Sequence, residues 1–443
     1  LASAHFTPEQ LSERFEFTGR YRNIVFGLIG VGIVLLLAGI FFSDQSGTAA
    51  HDAEHAAVVI EQGDVHPVAD THGHGHEAPT TGKRILANVL IGALYFMTIT
   101  MGALFFLAIH RVGNAGWQTA IRRVPEAITS YLPVAVVSFA ALFFFLDHLF
   151  EWAHLEPGVD ALIDEKRAYL NEGGFIIRNL IFFGGWFGAA WYLRKLSLAQ
   201  DQEGGLFHFK RAEVISAVFI IFFAISYSLF AIDWVKSLEP HWFSTIFGIY
   251  IFAGSMVSAM VTIYLILVFL KKQGYMSYVN DAHFHDIGKY VFGFSVFWAY
   301  IWVAQYLLIW YSNIPEEGIY YVKRYRVEDH AYLGYSFFFY FNVLVNFFVP
   351  FLALMTRNAK RTFSVFIPVG VILLYGHWHD LFLMVMPGAV GYNPGISLIE
   401  VGTFMTFLGL FLFVVFTALT RANLVPQKHP YLEESLHHTT GEV

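Results

Sequence analysis

Ten apolar runs punctuate this chain, near residues 23–42, 85–109, 128–150, 175–193, 212–234, 242–270, 287–311, 331–356, 362–386 and 397–420. Each is close to the roughly 20 residues that a helix needs to cross a bilayer. Within most runs the apolar side chains lie all round the helix rather than on one stripe, which is the pattern of a helix solvated by lipid or by other helices. Gly and Pro interrupt several of them, as in "GGWFGAAW" from Gly184 to Trp191 and at Pro133 and Pro368. Membrane helices tolerate such breaks when neighbouring helices satisfy the freed backbone groups. The pattern predicts an all-α polytopic membrane protein of about ten transmembrane helices.

Basic residues flank the runs unevenly. Arg14, Arg20 and Arg22, Arg111, Arg122 and Arg123, Arg194, Lys195, Lys210 and Arg211 fall on one side. Lys271, Lys272 and Lys289, Arg357, Lys360 and Arg361, Arg421 and Lys428 join them, while fewer, among them Lys83, Arg84, Lys166 and Lys236, fall on the other. The positive-inside rule then expects both termini in the cytoplasm. The first run follows a polar arm and lacks a small-residue cleavage site, so it is expected to be a retained span.

Composition agrees with this picture. Hydrophobic residues make up 56% of the 443 and charged residues 14%, about half of what a soluble domain carries. There is no cysteine, which excludes disulfides, thiolate metal sites and iron–sulfur clusters held by this chain. A net charge of −7 carries no signature of nucleic-acid binding. A loop expected over 43–82 carries six His between His51 and His76; metal capture and a solvated polar loop both remain open. The tail "KHPYLEESLHHTTGEV" is expected either to dock or to be disordered.

The candidate chemistry lies where ionisable residues enter the apolar runs. Counting helical rise from the basic flanks puts His377 about 24 Å and Asp380 about 28 Å beyond Arg361, Asp147 and His148 about 30 Å along the third run, and Asp233 about 33 Å beyond Arg211. Arg178 enters the fourth run at the same level. Asp147 and Glu151, His148 and Glu151, and His377 and Asp380 stand three or four apart, so each pair is expected to share a helix face. Charges at such depth are costly and mark functional sites. Carboxylates beside imidazoles suit proton transfer to and from a hydroxylated ring. A second set, His285 and Asp286 at the start of the seventh run, faces the basic side, with Gln305 and Tyr306 between the two sets. Headgroup contact or helix-fixing pairs explain the same residues structurally. No run holds two His about 13 residues apart, the spacing of a haem-stacking b-type cytochrome. A secondary transporter would place its site at the midplane, whereas these charges gather nearer the faces.

Four segments carry a resemblance: "SLEPHWFSTIFGIYIFAGS" (Ser237 to Ser255), "HDIGKYVFGFSVFWAYIWVAQYLLIWYSNIPEE" (His285 to Glu317), "GHWHDLFLMVMPGAVG" (Gly376 to Gly391) and "LVPQKHPYLEESLHH" (Leu424 to His438). In these the chain resembles the polysulfide-reductase-type (NrfD-like) membrane subunits of bacterial alternative complex III. The resemblance implies a cytoplasmic arm (1–22), a first flanking helix (23–42), the His-rich periplasmic loop (43–82), two four-helix bundles (83–236 and 237–390), a last flanking helix (391–422) and a cytoplasmic tail (423–443). It implies a place in the bacterial inner membrane, in a complex that passes electrons from quinol to cytochrome c or a terminal oxidase. The expected partners are lipids, a homologous ActC-like membrane subunit, an iron–sulfur subunit, haem c subunits and small membrane subunits, with no nucleic acid. Haem c and iron–sulfur clusters belong to those partners; this chain is expected to bind no metal and no cofactor of its own beyond menaquinol or another quinol. His377 and Asp380 fall in the family's "GHW..D...VMPG" run. Asp147, His148 and Arg178 lie where a quinone pocket of the first bundle is expected.

Overall fold

A computed structural model of the chain describes residues 7–58, 81–325, 335–391 and 395–440. Among these residues the secondary structure is helical throughout, with no strand. The long helices are α1 (Gly19–Val58), α2 (Thr81–Val112), α3 (Arg123–Leu149), α4 (Glu172–Glu203), α5 (Phe207–Trp234), α6 (Phe247–Lys272), α7 (Asp281–Ser312), α8 (Tyr335–Ala353), α9 (Phe363–Ala389) and α10 (Leu398–Leu419). Nine of them are long and apolar enough to cross a membrane. The helix that falls short is α4, the expected fourth span: it has 32 residues, but Arg178, Asn179 and its glycines dilute its apolar character. Helix α1 runs on to Val58, past the expected end at Phe42, so the first part of the predicted loop is helical. The rest of the His-rich segment, 59–80, lies outside the described residues.

Local signals set the helix ends. Asn280 caps α7 and Ser397 caps α10, each in a reciprocal box with the residue three positions on, His283 and Glu400. Asn171 caps α4 by accepting the Gly174 N–H at 2.7 Å. Helix α3 is not one straight span. It passes through a tight turn at Phe143–Phe145, and Phe150 takes an extended conformation (φ −112°, ψ 123°) that ends it.

Helix α2 is central, packing on α3, α5, α6, α9 and α10, and α6 and α9 are covered nearly as fully. Helices α4 and α5 pair with each other, α6 pairs with α7 and α9, and α8 leans on α9. Helices α1 and α10 form an intimate pair. Their axes approach through glycines seven apart on each helix, Gly32 and Gly39 against Gly402 and Gly409. A Cβ at Gly39 would stand 2.8 Å from the Ile399 backbone nitrogen, and one at Gly402 would collide with the backbone of Leu36. Close small-residue packing of this kind supplies the van der Waals contact that holds helices together in lipid.

The segment before α1 and the segment after α10 meet on one face. Leu424 donates its backbone N–H to Glu13 O at 2.9 Å, and Arg14 reaches Asn423 at 2.9 Å. From there the C-terminal segment crosses the same face. Gln427 donates its backbone N–H to Asp201, Ser435 contacts Trp117 and Ala120, His438 pairs with Asp286, and Arg361 reaches Thr440. Of the two readings open for the tail, residues 424–440 follow the docked one.

Candidate functional site

The deepest polar cluster is built by α6, α7, α8 and α9 around Asp380. Its carboxylate is buried and accepts hydrogen bonds from Tyr250 at 2.5 Å and Asn342 at 2.7 Å on Oδ1, and from the Trp298 indole at 3.1 Å on Oδ2. All three donors are neutral, and among the described residues no cation pairs with it. His377, one turn earlier on α9, is also buried. It meets Trp298 edge-on at 5.7 Å, and neither ring nitrogen has a hydrogen-bond partner. Gly254 makes room for that ring, since a Cβ there would stand 3.2 Å from His377 Nδ1. Buried polar atoms of this kind are satisfied in proteins by ordered water. Ser258, Ser295 and Asn346 Oδ1, on α6, α7 and α8, are unpartnered in the same way.

Helix α8 presents its two asparagines because its backbone widens. Residues Leu344–Phe348 form a π-turn. Pro350 lacks the N–H that would bond the Asn346 carbonyl, which favours the wider ladder at that point. Asn342 then reaches Asp380, and Asn346 donates to Asn342 Oδ1 at 2.6 Å and to Gly376 O at 3.0 Å. His379 is occupied separately, 2.9 Å from Phe338 O.

Gln305 joins a polar strand leading away from this core. It accepts from Ser244 at 3.0 Å and donates to the Tyr321 hydroxyl at 3.1 Å. Tyr306 packs by its ring, on Trp302 and edge-on to Tyr321, and its place is in an aromatic cluster. Beyond lies Arg324, on the short helix Pro315–Tyr325. It pairs with Glu239 at 2.7 Å, stacks over Tyr320 and donates to Leu383 O at 2.8 Å. That carbonyl is free because Pro387, four residues on, cannot donate to it. Burial is the largest single influence on the Arg324 guanidinium and pushes its pKa down, but the Glu239 carboxylate together with Tyr320 and Tyr321 raises it above its ordinary value.

The first-half candidates separate. Asp233 is wholly buried and fully compensated: Arg178 reaches it at 3.1 and 3.3 Å and Asn179 at 3.0 Å, while Trp234 holds Asn179 at 2.7 Å. Arg178 also lies 3.8 Å over the Tyr169 ring. Asp147 and His148 are exposed and bond each other at 2.7 Å, and Glu151 is exposed too. The extended Phe150 interrupts the helix, so Glu151 does not share the expected helical face with Asp147 and His148. Neither Asp147 nor His148 bonds Arg178 among the described residues.

On the face of the termini, Asp286 is clamped between Lys289 and His438, both at 2.6 Å. His285 is half-buried above it. Tyr290, one turn beyond Asp286 on α7, reaches His110 Nε2 at 3.1 Å. His110 Nδ1 lies 2.8 Å from Phe106 O and donates to it, so its Nε2 accepts from the tyrosine.

A broad apolar cleft of about 610 Å³ opens between α2, α6, α9 and α10, lined by Tyr95, Phe96, Thr262, Leu374, Trp378 and Phe404 among others. Among the described residues no group of three or more His, Asp or Glu is arranged to hold a metal.

Tyr250, Asn342 and Asn346 escaped the sequence reading. The signal was present in "FNVLVNFFVP", where two amides stand four apart in an apolar run. No family model matches the chain, and no curated protein matches it significantly.

Proposed function

We propose that the chain is an ActF-type, NrfD-like integral membrane subunit of a quinol-oxidising respiratory complex, and that its second half carries protons. The observation that supports this reading is Asp380, a buried carboxylate held by three neutral donors, with an imidazole of free ring nitrogens one turn away. A purely structural carboxylate in lipid is expected to have a cation, as Asp233 has Arg178. A carboxylate without one can take up a proton at little electrostatic cost and release it again. Oδ2, with one long hydrogen bond, is the oxygen that takes the proton. His377 and water at its nitrogens pass it on, towards Gln305 and Tyr321 on one side and His285 and Asp286 on the other.

In this reading a quinol gives up its hydroxyl protons as its electrons leave for the haem c and iron–sulfur groups of partner subunits. The chain itself holds no redox centre. The complex sits in the bacterial inner membrane with both termini cytoplasmic, and the gathering of the basic flanks and both termini on one face supports that orientation. The exposed Asp147 and His148 are then available to a partner or to a quinol headgroup.

Asp380→Asn tests the proposal. The amide preserves size and two of the hydrogen bonds but carries no exchangeable carboxyl proton. The expected result is a complex that assembles with normal subunit content and loses tenfold or more, on the order of a general acid–base contribution, in quinol oxidation or its coupled proton movement. Unchanged turnover and coupling would sink the proton-carrying reading and leave a scaffold.

A further inference from the structure

Beneath the docked C-terminal segment, four arginines converge on two carboxylates. Arg111, Arg123 and Arg194 reach Glu126 at 3.2, 2.7 and 2.5 Å, and Arg123 also pairs with Asp201. Arg122 differs. It is only 5% exposed, it donates from Nε and Nη2 to the side-chain oxygen of Gln118 at 3.3 and 2.5 Å, and it forms no ion pair among the described residues. The cluster therefore keeps surplus positive charge in a place shut off from bulk water, which is costly unless a counter-charge is present. Burial, and then Arg111 beside it, push the Arg122 guanidinium down to about 9. A guanidinium does not shed its proton at neutral pH, so a negative partner is what relieves the arrangement.

A cavity of about 20 Å³ lies against this arginine, lined by Arg111, Arg122, Gln200, His208, Pro426 and His429 among others. Two donors there are unused. Arg111 is 4% exposed and its Nη1 has no hydrogen-bond partner. His429 Nδ1 accepts the Tyr431 N–H at 3.2 Å, which leaves the ring proton of the neutral tautomer on Nε2, and that nitrogen also has no partner. A cavity of about 10–15 Å³ already admits one water. This one admits a monatomic anion and is too small for a lipid headgroup.

We propose that the cavity binds a small inorganic anion of halide size, held by Arg122, Arg111 and the His429 N–H, and that the anion fastens the C-terminal segment to the helices beneath it. Pro426 and His429 belong to that segment, whereas Arg111, Arg122 and Gln200 belong to the helical body, so the ligand bridges the two. Gln200 Oε1 lines the same cavity without a partner, because Gln200 Nε2 is committed to Gly205 O and Lys428 O at 2.7 and 2.9 Å. Water alone would fill the space and satisfy Gln200 but would leave Arg122 uncompensated. The site is independent of the proton-carrying reading.

The test uses the full chain in lipid nanodiscs, with sodium chloride, bromide, phosphate or gluconate at equal ionic strength. Chloride and bromide are expected to raise the melting temperature saturably relative to gluconate and to slow hydrogen exchange at least threefold over residues 424–440. Arg122→Gln should remove the halide response. A bromide-soaked crystal should show anomalous density within hydrogen-bond reach of Arg111 and Arg122. Equal melting and exchange in all four salts, a response to phosphate alone, or an ordered water with no bromide signal would overturn the proposal. Should Arg122→Gln fail to fold, the bromide density on the unaltered chain decides.

Discussion

Asp233 and Asp380 are both buried carboxylates of the membrane helices, and their surroundings differ. Asp233 has a guanidinium and a fixed amide; Asp380 has a phenol, an indole and an amide. Removing the partner of a buried ion pair strands a charge. Arg178→Met is therefore expected to destabilise the chain by about 3–5 kcal/mol. The double variant with Asp233→Asn should recover most of that loss in thermal melting, and a double as unstable as the single would mean Arg178 serves mainly by packing on Tyr169. The sequence placed both aspartates at similar depth by counting rise. It could not tell which had a cation, because Arg178 lies 55 residues from Asp233 and the donors to Asp380 come from three other helices.

Among the elements, the pair α1 and α10 depends on the absence of side chains at four positions. At Gly402 a Cβ would meet backbone of Leu36, which cannot rotate away. Gly402→Val is expected to part the two helices and lower stability by about 1–3 kcal/mol, the usual cost of overpacking. The check is thermal melting in lipid nanodiscs, where the valine variant should unfold at a lower temperature than the unaltered chain. The apolar runs made nine of these helices legible, and the tenth, α4, was legible as a helix despite its lower apolar content. The break in α3 at Phe150 was not. "FLDHLFEWAH" has no Gly or Pro to mark a stop, and the i, i+3 and i, i+4 faces expected for Asp147, His148 and Glu151 assumed a helix that ends at Leu149, two residues short of Glu151.

Across the whole molecule, the C-terminal segment ties the two halves of one face together, and its hold is expected to depend on pH. Burial, followed by the guanidiniums of Arg122 and Arg111, keeps the His429 imidazole well below its ordinary value of 6.5. The docked ring is therefore neutral, while a released tail takes up a proton as pH falls below that value. Docking is at full strength above about pH 6.5 and weakens progressively on acidification, by about 2 kcal/mol at pH 5. Protection factors over residues 424–440, corrected for the intrinsic pH dependence of amide exchange, should fall between pH 7.5 and pH 5 in chloride-free buffer, and His429→Gln should flatten that change. Protection that does not vary with pH in the unaltered chain would mean that the segment is held without regard to the imidazole.

The sequence by itself determined the solvent and the elements. A run of some 20 apolar residues can only be a helix once lipid surrounds it, since every backbone group must find its partner within the segment. Basic flanks likewise predicted which loops share a face. Only the tertiary structure decided which ionisable groups have an opposite charge beside them and which do not, and that the polar tail docks as a strap. The reason is one of range: hydrophobic periodicity is written within a helix, but the field at a buried charge is set by whichever side chains other helices bring within a few ångströms. Glu126 among its arginines and Asp380 among its neutral donors differ by that proximity.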